Sequence, residues 1–219
     1  MSNLVIAIDG PAGAGKSTVA KLIAQNLNIV YIDTGSMYRA LTYKLLKENI
    51  DLNNTSKIID VLNSTKIDFR DNHIFLDDEI VDDKIRTNKI NNNVSLVAKI
   101  KEVREKLVKI QRNISKNNDI IMDGRDIGSY VLPNAKFKFY ITANPEERGK
   151  RRYKELIKEY PNIKLSEIIE EIKERDKIDK TRNIAPLIKT EDSIEIDTTN
   201  KSIEEVVKII LNYIEKNNY

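Results

Sequence analysis

A chain of 219 residues can bury one core with insertions or build two small domains, and 40% apolar with 32% charged residues is the balance of a soluble globular protein. No apolar run approaches the roughly 20 residues that span a bilayer, and zero cysteines exclude a disulfide framework, a thiolate metal site and a cysteine nucleophile. A net charge of +3 gives no ground for a nucleic-acid partner, and no membrane partner is expected.

Met1-Ser2-Asn3 has no basic flank and leads into an apolar run too short for a signal peptide, so the chain is expected to keep its first residues and to work in the cytoplasm. Residues 4–8 are continuously apolar, a Gly-rich turn follows, and Val19, Leu22, Ile23 and Leu27 recur at helical spacing within 17–28. This predicts strand, loop and helix. Residues 29–32 predict a second buried strand ending at Asp33-Thr34-Gly35, with Met37, Ala40, Leu41 and Leu45 marking the next helix. From about 56 to 92 the pattern changes to a short helix and two runs, 66–69 and 73–76, separated by Arg70-Asp71-Asn72, a hairpin within an insert on the main core.

Residues 94–114 carry Val97, Ile100, Val103, Leu107, Val108 and Ile110 among many charges and predict one amphipathic helix. Residues 120–122 predict a third strand ending at Asp123-Gly124-Arg125-Asp126, residues 137–141 a fourth, and 194–196 a weaker fifth. Short apolar strands alternating with helices imply a parallel sheet covered on both faces, whose ligands bind beyond the carboxyl ends of the strands.

Gly10-Pro11-Ala12-Gly13-Ala14-Gly15-Lys16-Ser17-Thr18 satisfies the phosphate-binding-loop pattern in its required place, after a buried strand and before a helix. Its glycines let backbone N–H groups curl around phosphate oxygens, Lys16 bridges the terminal phosphates, and Ser17 offers a hydroxyl to Mg²⁺. ATP and Mg²⁺ are the expected co-substrate and ion. Asn88-Lys89-Ile90-Asn91 lacks the final Asp and the preceding strand that guanine recognition needs, which excludes a GTPase. Arg39, Arg125, Arg148, Arg151, Arg152, Arg175 and Arg182 supply cations for a second anionic substrate, whereas a nucleotide sensor without turnover needs none.

The tract 146–158 is either an exposed charged helix or a lid closing over ATP. The single histidine, His73, lies in the insert's hairpin and is read as structural. Asp33, Asp123 and Asp126 stay open as bases for an alcohol acceptor, while the want of a placed histidine favours a phosphate acceptor that needs only orientation. Asp123, ending its strand, is placed to orient the water shell of Mg²⁺.

Beyond the loop, the chain carries Ile8-Asp9 before Gly10, Asp33-Thr34-Gly35-Ser36-Met37-Tyr38-Arg39, Ile85-Arg86-Thr87, Val103-Arg104-Glu105, Asp123-Gly124-Arg125-Asp126-Ile127-Gly128, Glu146-Glu147-Arg148 and Ala185-Pro186-Leu187. Together these resemble the bacterial cytidylate kinases, a family of nucleoside monophosphate kinases. The resemblance implies an α/β fold with a five-stranded parallel core in a single domain, an acceptor-binding insert at 56–96 and a helical lid at 146–165. It implies that CMP or dCMP accepts the phosphate. Arg39 and Arg125 then hold the acceptor phosphate, Thr34 and Tyr38 line its pocket, and Ser95, Arg104 and Asp126 read cytosine.

In the same resemblance Arg175, Asp179 and Arg182 contact sugar and phosphates, and Lys16, Asp123, Arg125, Arg148 and Arg152 serve catalysis. The segment from Glu174 to Arg182 holds less arginine than the family pattern, with Ile178 and Lys180 at two of its positions. A monomer is expected.

Overall fold

In the computed structural model, which describes residues 3–70, 73–116, 118–158 and 160–217, the first apolar run becomes β1 (Val5–Asp9). It lies between β6 (Ile120–Gly124) and β7 (Phe137–Thr142), parallel to both, and β8 (Ile194–Asp197) runs parallel to β7. With β2 (Val30–Asp33), the sheet has five strands in the order β2-β6-β1-β7-β8. Ile6, Ala7 and Ile8 of β1 and Ile120, Ile121 and Met122 of β6 are wholly buried, as central parallel strands covered on both faces must be. β7, on the other side of β1, alternates, burying Phe137, Phe139 and Ile141.

The chain forms two compact units, one of Met1–Tyr31 with Asn118–Tyr219 and one of Ile32–Asn117. In the first, α1 (Lys16–Leu27) and α8 (Ile203–Lys216) cover the sheet, placing Val19, Ile23, Val206 and Ile210 against Ile6, Ile8, Ile121 and Phe139. Each such side chain contributes about 1.5–3 kcal/mol by leaving water. Ser202 and Glu205 close a reciprocal cap on α8. In α6 (Pro145–Leu156), Asn144 accepts from the Glu147 N–H and Pro145 occupies the first turn, where its missing donor costs nothing. Leu156 packs with Ile168 and Ile172 of α7 (Leu165–Thr181). Within the expected lid tract 146–165, α6 accounts for Glu146 to Leu156, and Glu159 lies outside the described residues.

The second unit holds α2 (Thr34–Lys47), α3 (Thr55–Ser64) and an antiparallel sheet of β3 (Ile67–Arg70), β4 (His73–Leu76) and β5 (Glu79–Ile80). Asp71 and Asn72 of the expected turn lie outside the described residues. The third strand was not expected. It forms because Asp77 and Asp78 both take positive φ, 50° and 67°, the geometry of a tight hairpin turn, without the glycine that advertises one.

The single helix expected over 94–114 is two helices, α4 (Asn88–Ala98) and α5 (Lys101–Ser115). Neither Pro nor Gly breaks it. Ile100 is extended at ψ 127°, and the Ala98 carbonyl is taken by Arg104 Nη1 at 3.1 Å, so a side chain replaces the helical partner. Among the described residues no helix is long and apolar enough to cross a membrane.

Where β1 ends, Asp9 accepts from the N–H groups of Ile127 and Gly128, both at 2.7 Å, at the start of a π-helical turn (Ile127–Val131). The next residue, Gly10, has φ 146°, and a Cβ there would lie 1.9 Å from the Ile141 carbonyl oxygen. Gly10→Ala should therefore cost at least about 2 kcal/mol in chemical unfolding. An unchanged midpoint would show that the loop sits elsewhere.

Burial raises the Asp9 carboxyl to about 7, against the pull of the Gly128 and Ile127 N–H groups. The folded chain thus holds this proton more tightly than the unfolded one. Its contribution to stability is complete below the ordinary value of 3.8 and is lost as pH rises through about 7. The unfolding free energy of the natural chain minus that of Asp9→Asn should fall between about pH 4 and about pH 7 in urea titrations. A difference that stays flat across this window would refute the burial argument.

Candidate functional site

The loop between β1 and α1 takes its shape from Gly10, Gly13 and Gly15, all at positive φ, the last also the cap residue of α1. No side chain caps α1, so its first N–H groups point outward from a positive dipole end. Lys16 folds back, donating from Nζ to the Pro11 carbonyl at 2.8 Å. Burial and the nearby Arg125 guanidinium push its ammonium down to about 7, against the pull of Asp123. Ser17 Oγ donates to Asp123 Oδ2 at 2.9 Å, and the Tyr31 hydroxyl donates to Asp123 Oδ1 at 2.8 Å.

The loop is braced from behind. Arg148, 3% exposed in its side chain, donates to the carbonyls of Ala12 (3.0 Å) and Ala143 (2.8 Å) and grips both oxygens of Asp176 at 3.1 and 2.6 Å. Thr198 Oγ1 donates to the Ala14 carbonyl at 3.2 Å, and Arg151 Nη2 reaches the Thr198 carbonyl at 2.6 Å. Pro11, Ala12 and Ala14 contribute backbone to the loop, with Ala14 itself buried, and Thr18 lies in the first turn of α1.

At the end of β6, Arg125 Nε donates to Asp179 Oδ2 at 2.9 Å. Arg182 reaches Asp126 Oδ1 at 3.3 Å and Asp179 Oδ1 at 3.9 Å, and is fixed by the Ala185 carbonyl at 2.7 Å. Burial raises the Asp179 carboxyl, but Arg125, Arg175 and Arg182 outweigh it and hold the group below the ordinary carboxylate value. Residues from the loop, the end of β6 and α7 are thus brought together within one unit. Arg152 differs, pairing with Glu155 of its own helix at 2.9 Å on a partly exposed face.

In the second unit Asp33 accepts from the Ser36 N–H at 3.1 Å, which caps α2, and pairs with Arg39 at 2.6 Å and Arg86 at 3.1 Å. Burial works against ionisation of Asp33, yet Arg39 and Arg86 hold it below the ordinary carboxylate value. Arg104, 1% exposed, lies with its guanidinium 5.5 Å from the centre of the Tyr38 ring. Thr34 and Ser95 are buried on α2 and α4. His73 is exposed and pairs with Asp82, in keeping with a structural reading.

Sequence reasoning missed Asp9, Tyr31, Asp176 and Thr198. Asp9 alone had a local signal, a carboxylate directly before the first loop glycine. The Arg148–Asp176 pair joins residues 28 apart through the packing of α6 on α7, which no local pattern announces.

The cytidylate kinase family model matches residues 6–216. The chain is 58% identical over 214 residues to the cytidylate kinase of Clostridioides difficile (strain 630), covering 98% of this chain and 99% of that one. It is 53% identical to the cytidylate kinase of Alkaliphilus oremlandii (strain OhILAs), with coverage of 98% and 99%. Among solved structures, the shikimate kinase of Bacteroides thetaiotaomicron superposes with TM-score 0.51 at 13% identity, covering 97% of this chain and 98% of that one, a likeness of fold. A P-loop kinase fold matched along nearly its whole length by this model and these relatives leads to one assignment: the chain belongs to the cytidylate kinase family.

Proposed function

We propose that this protein transfers the γ-phosphate of ATP to CMP or dCMP, giving ADP and CDP or dCDP. The observation that carries the reading is the near full-length identity with curated cytidylate kinases. The geometry supports the chemistry. A loop shaped for phosphates holds Lys16, and carboxylates hold Arg125, Arg182 and Arg39 in place before any ligand arrives.

In this reading Gly10 to Thr18 cradle the donor phosphates and Lys16 bridges the terminal ones. Arg148 keeps the loop in shape from behind, and Arg152, partly exposed on α6, is a lid cation for the donor. Arg125 and Arg39 take the acceptor phosphate, with Thr34 and Tyr38 beside Arg39 on α2. Ser95, Arg104 and Asp126 read the cytosine edge, and Arg175, Asp179 and Arg182 serve sugar and phosphates.

Mg²⁺ fits the oxygen donors at Ser17 and Asp123, with Ser17 as ligand and Asp123 orienting the ion's water shell. Among the described residues no group of three or more His, Cys, Asp or Glu could hold a metal, so phosphate and water oxygens complete the shell. When bound, the ion neutralises charge between the donor phosphates. The protein is further proposed to act as a cytoplasmic monomer.

Initial rates with CMP, dCMP, UMP, AMP and GMP at fixed Mg-ATP test the reading. CMP and dCMP should lead, and a preference for UMP or a purine would sink it. Arg125→Ala should lower kcat/KM for CMP by about 10²-fold while the Kd for ATP stays within about threefold. Loss of ATP binding alone would place Arg125 with the donor instead.

A further inference from the structure

Ile85-Arg86-Thr87 is a motif of the family resemblance that the reaction scheme leaves without a role. In the second unit, Arg86 Nη2 approaches Asp33 Oδ2 at 3.1 Å, the same oxygen that Arg39 Nη2 reaches at 2.6 Å. Asp33 Oδ1 is engaged by the Ser36 N–H at 3.1 Å. Two guanidiniums therefore share one carboxylate oxygen, and one negative charge faces two positive ones.

Each guanidinium is a fork of five donors, so the pair has donors in excess of what Asp33 can accept. Arg39 Nε is buried and makes no hydrogen bond. The Arg86 side chain is 57% exposed against 10% for Asp33, so most of the Arg86 fork is open to solvent. A surplus positive charge, a buried unused donor and an exposed second fork fit an arriving phosphate better than a fold-holding contact. Thr87 caps α4, the helix that carries Ser95, so Arg86 stands at the head of an element already assigned to the acceptor.

We propose that Arg86 is a further acceptor-phosphate residue besides Arg39 and Arg125, held beside Arg39 by Asp33 and contacting the phosphate of the nucleoside monophosphate directly. This rests on the kinase reading above. Asp33 is then the spacer that sets the two forks and not a general base, consistent with the arginines keeping it ionised.

The test uses Arg86→Ala and Arg86→Lys in the full chain, with CMP as substrate and cytidine as a phosphate-free competitor. In Arg86→Ala the KM for CMP should rise about tenfold or more, the loss of one charge-assisted hydrogen bond. The KM for ATP and the inhibition constant of cytidine should stay at the natural values, and Arg86→Lys should recover part of the loss. A CMP KM within about twofold of the natural protein overturns the inference, because a lost charge-assisted contact costs more. Equal losses for CMP and cytidine also overturn it, since they mean that Arg86 supports α4. A natural protein that fails to use CMP removes the kinase reading and this inference together, whereas an active natural protein with an unaltered Arg86→Ala removes the inference alone.

Discussion

The carboxylate of Asp9 is the point on which the donor half of the structure turns. Both its oxygens are taken at 2.7 Å by the N–H groups of Ile127 and Gly128, so the end of β1 and the segment after β6 cannot move separately. One residue later Gly10 lies against the Ile141 carbonyl with no room for a side chain. The phosphate loop and the pair Arg125-Asp126 leave the sheet from neighbouring strand ends, which the register Asp9 to Gly124 brings level. Burying an acid here is costly in isolation, and two short backbone hydrogen bonds make it tolerable.

The same economy of carboxylates recurs. Asp176 holds Arg148, Asp179 holds Arg125 and Arg182, and Asp33 holds Arg39 and Arg86. In the proposed assignment Arg125, Arg182, Arg39 and Arg86 receive phosphate, and such side chains are otherwise long, mobile and mutually repelling. Fixing them beforehand removes the entropy loss and the reorganisation from the binding step. At Lys16, burial first and the Arg125 guanidinium second push the ammonium down to about 7.

Features set by short stretches of chain were legible in the sequence. The loop, its flanking strand and helix, and the polar ends of β2 and β6 could be read because strand burial and loop chemistry are local. Contacts created by packing were not. The break at Ile100 depends on Arg104 capturing the Ala98 carbonyl, while the apolar spacing of residues 94–114 runs through it unbroken. β5 rests on two aspartates at positive φ, a conformation that Asp tolerates but does not announce. Among the site residues, Lys16 and Ser17 follow from the motif, whereas Ser95 and Arg104, and the base-reading role of Asp126, carry meaning only through the family resemblance.

If Asp126 reads the base as proposed, the arginine-holding carboxylates bear on selectivity as well as on rate. Its Oδ1 faces Arg182 Nη2 at 3.3 Å, and Arg182 is in turn fixed by the Ala185 carbonyl. An ionised carboxylate can only accept hydrogen bonds. The amino group of cytosine answers it with a donor, while uracil presents a carbonyl oxygen at the same position. A mismatch of that kind leaves two acceptors facing each other in a desolvated pocket, which costs far more than the loss of a methylene-sized contact. In the proposed assignment, base choice thus depends on Arg182 as well as on Asp126, because the guanidinium at 3.3 Å fixes where that carboxylate lies.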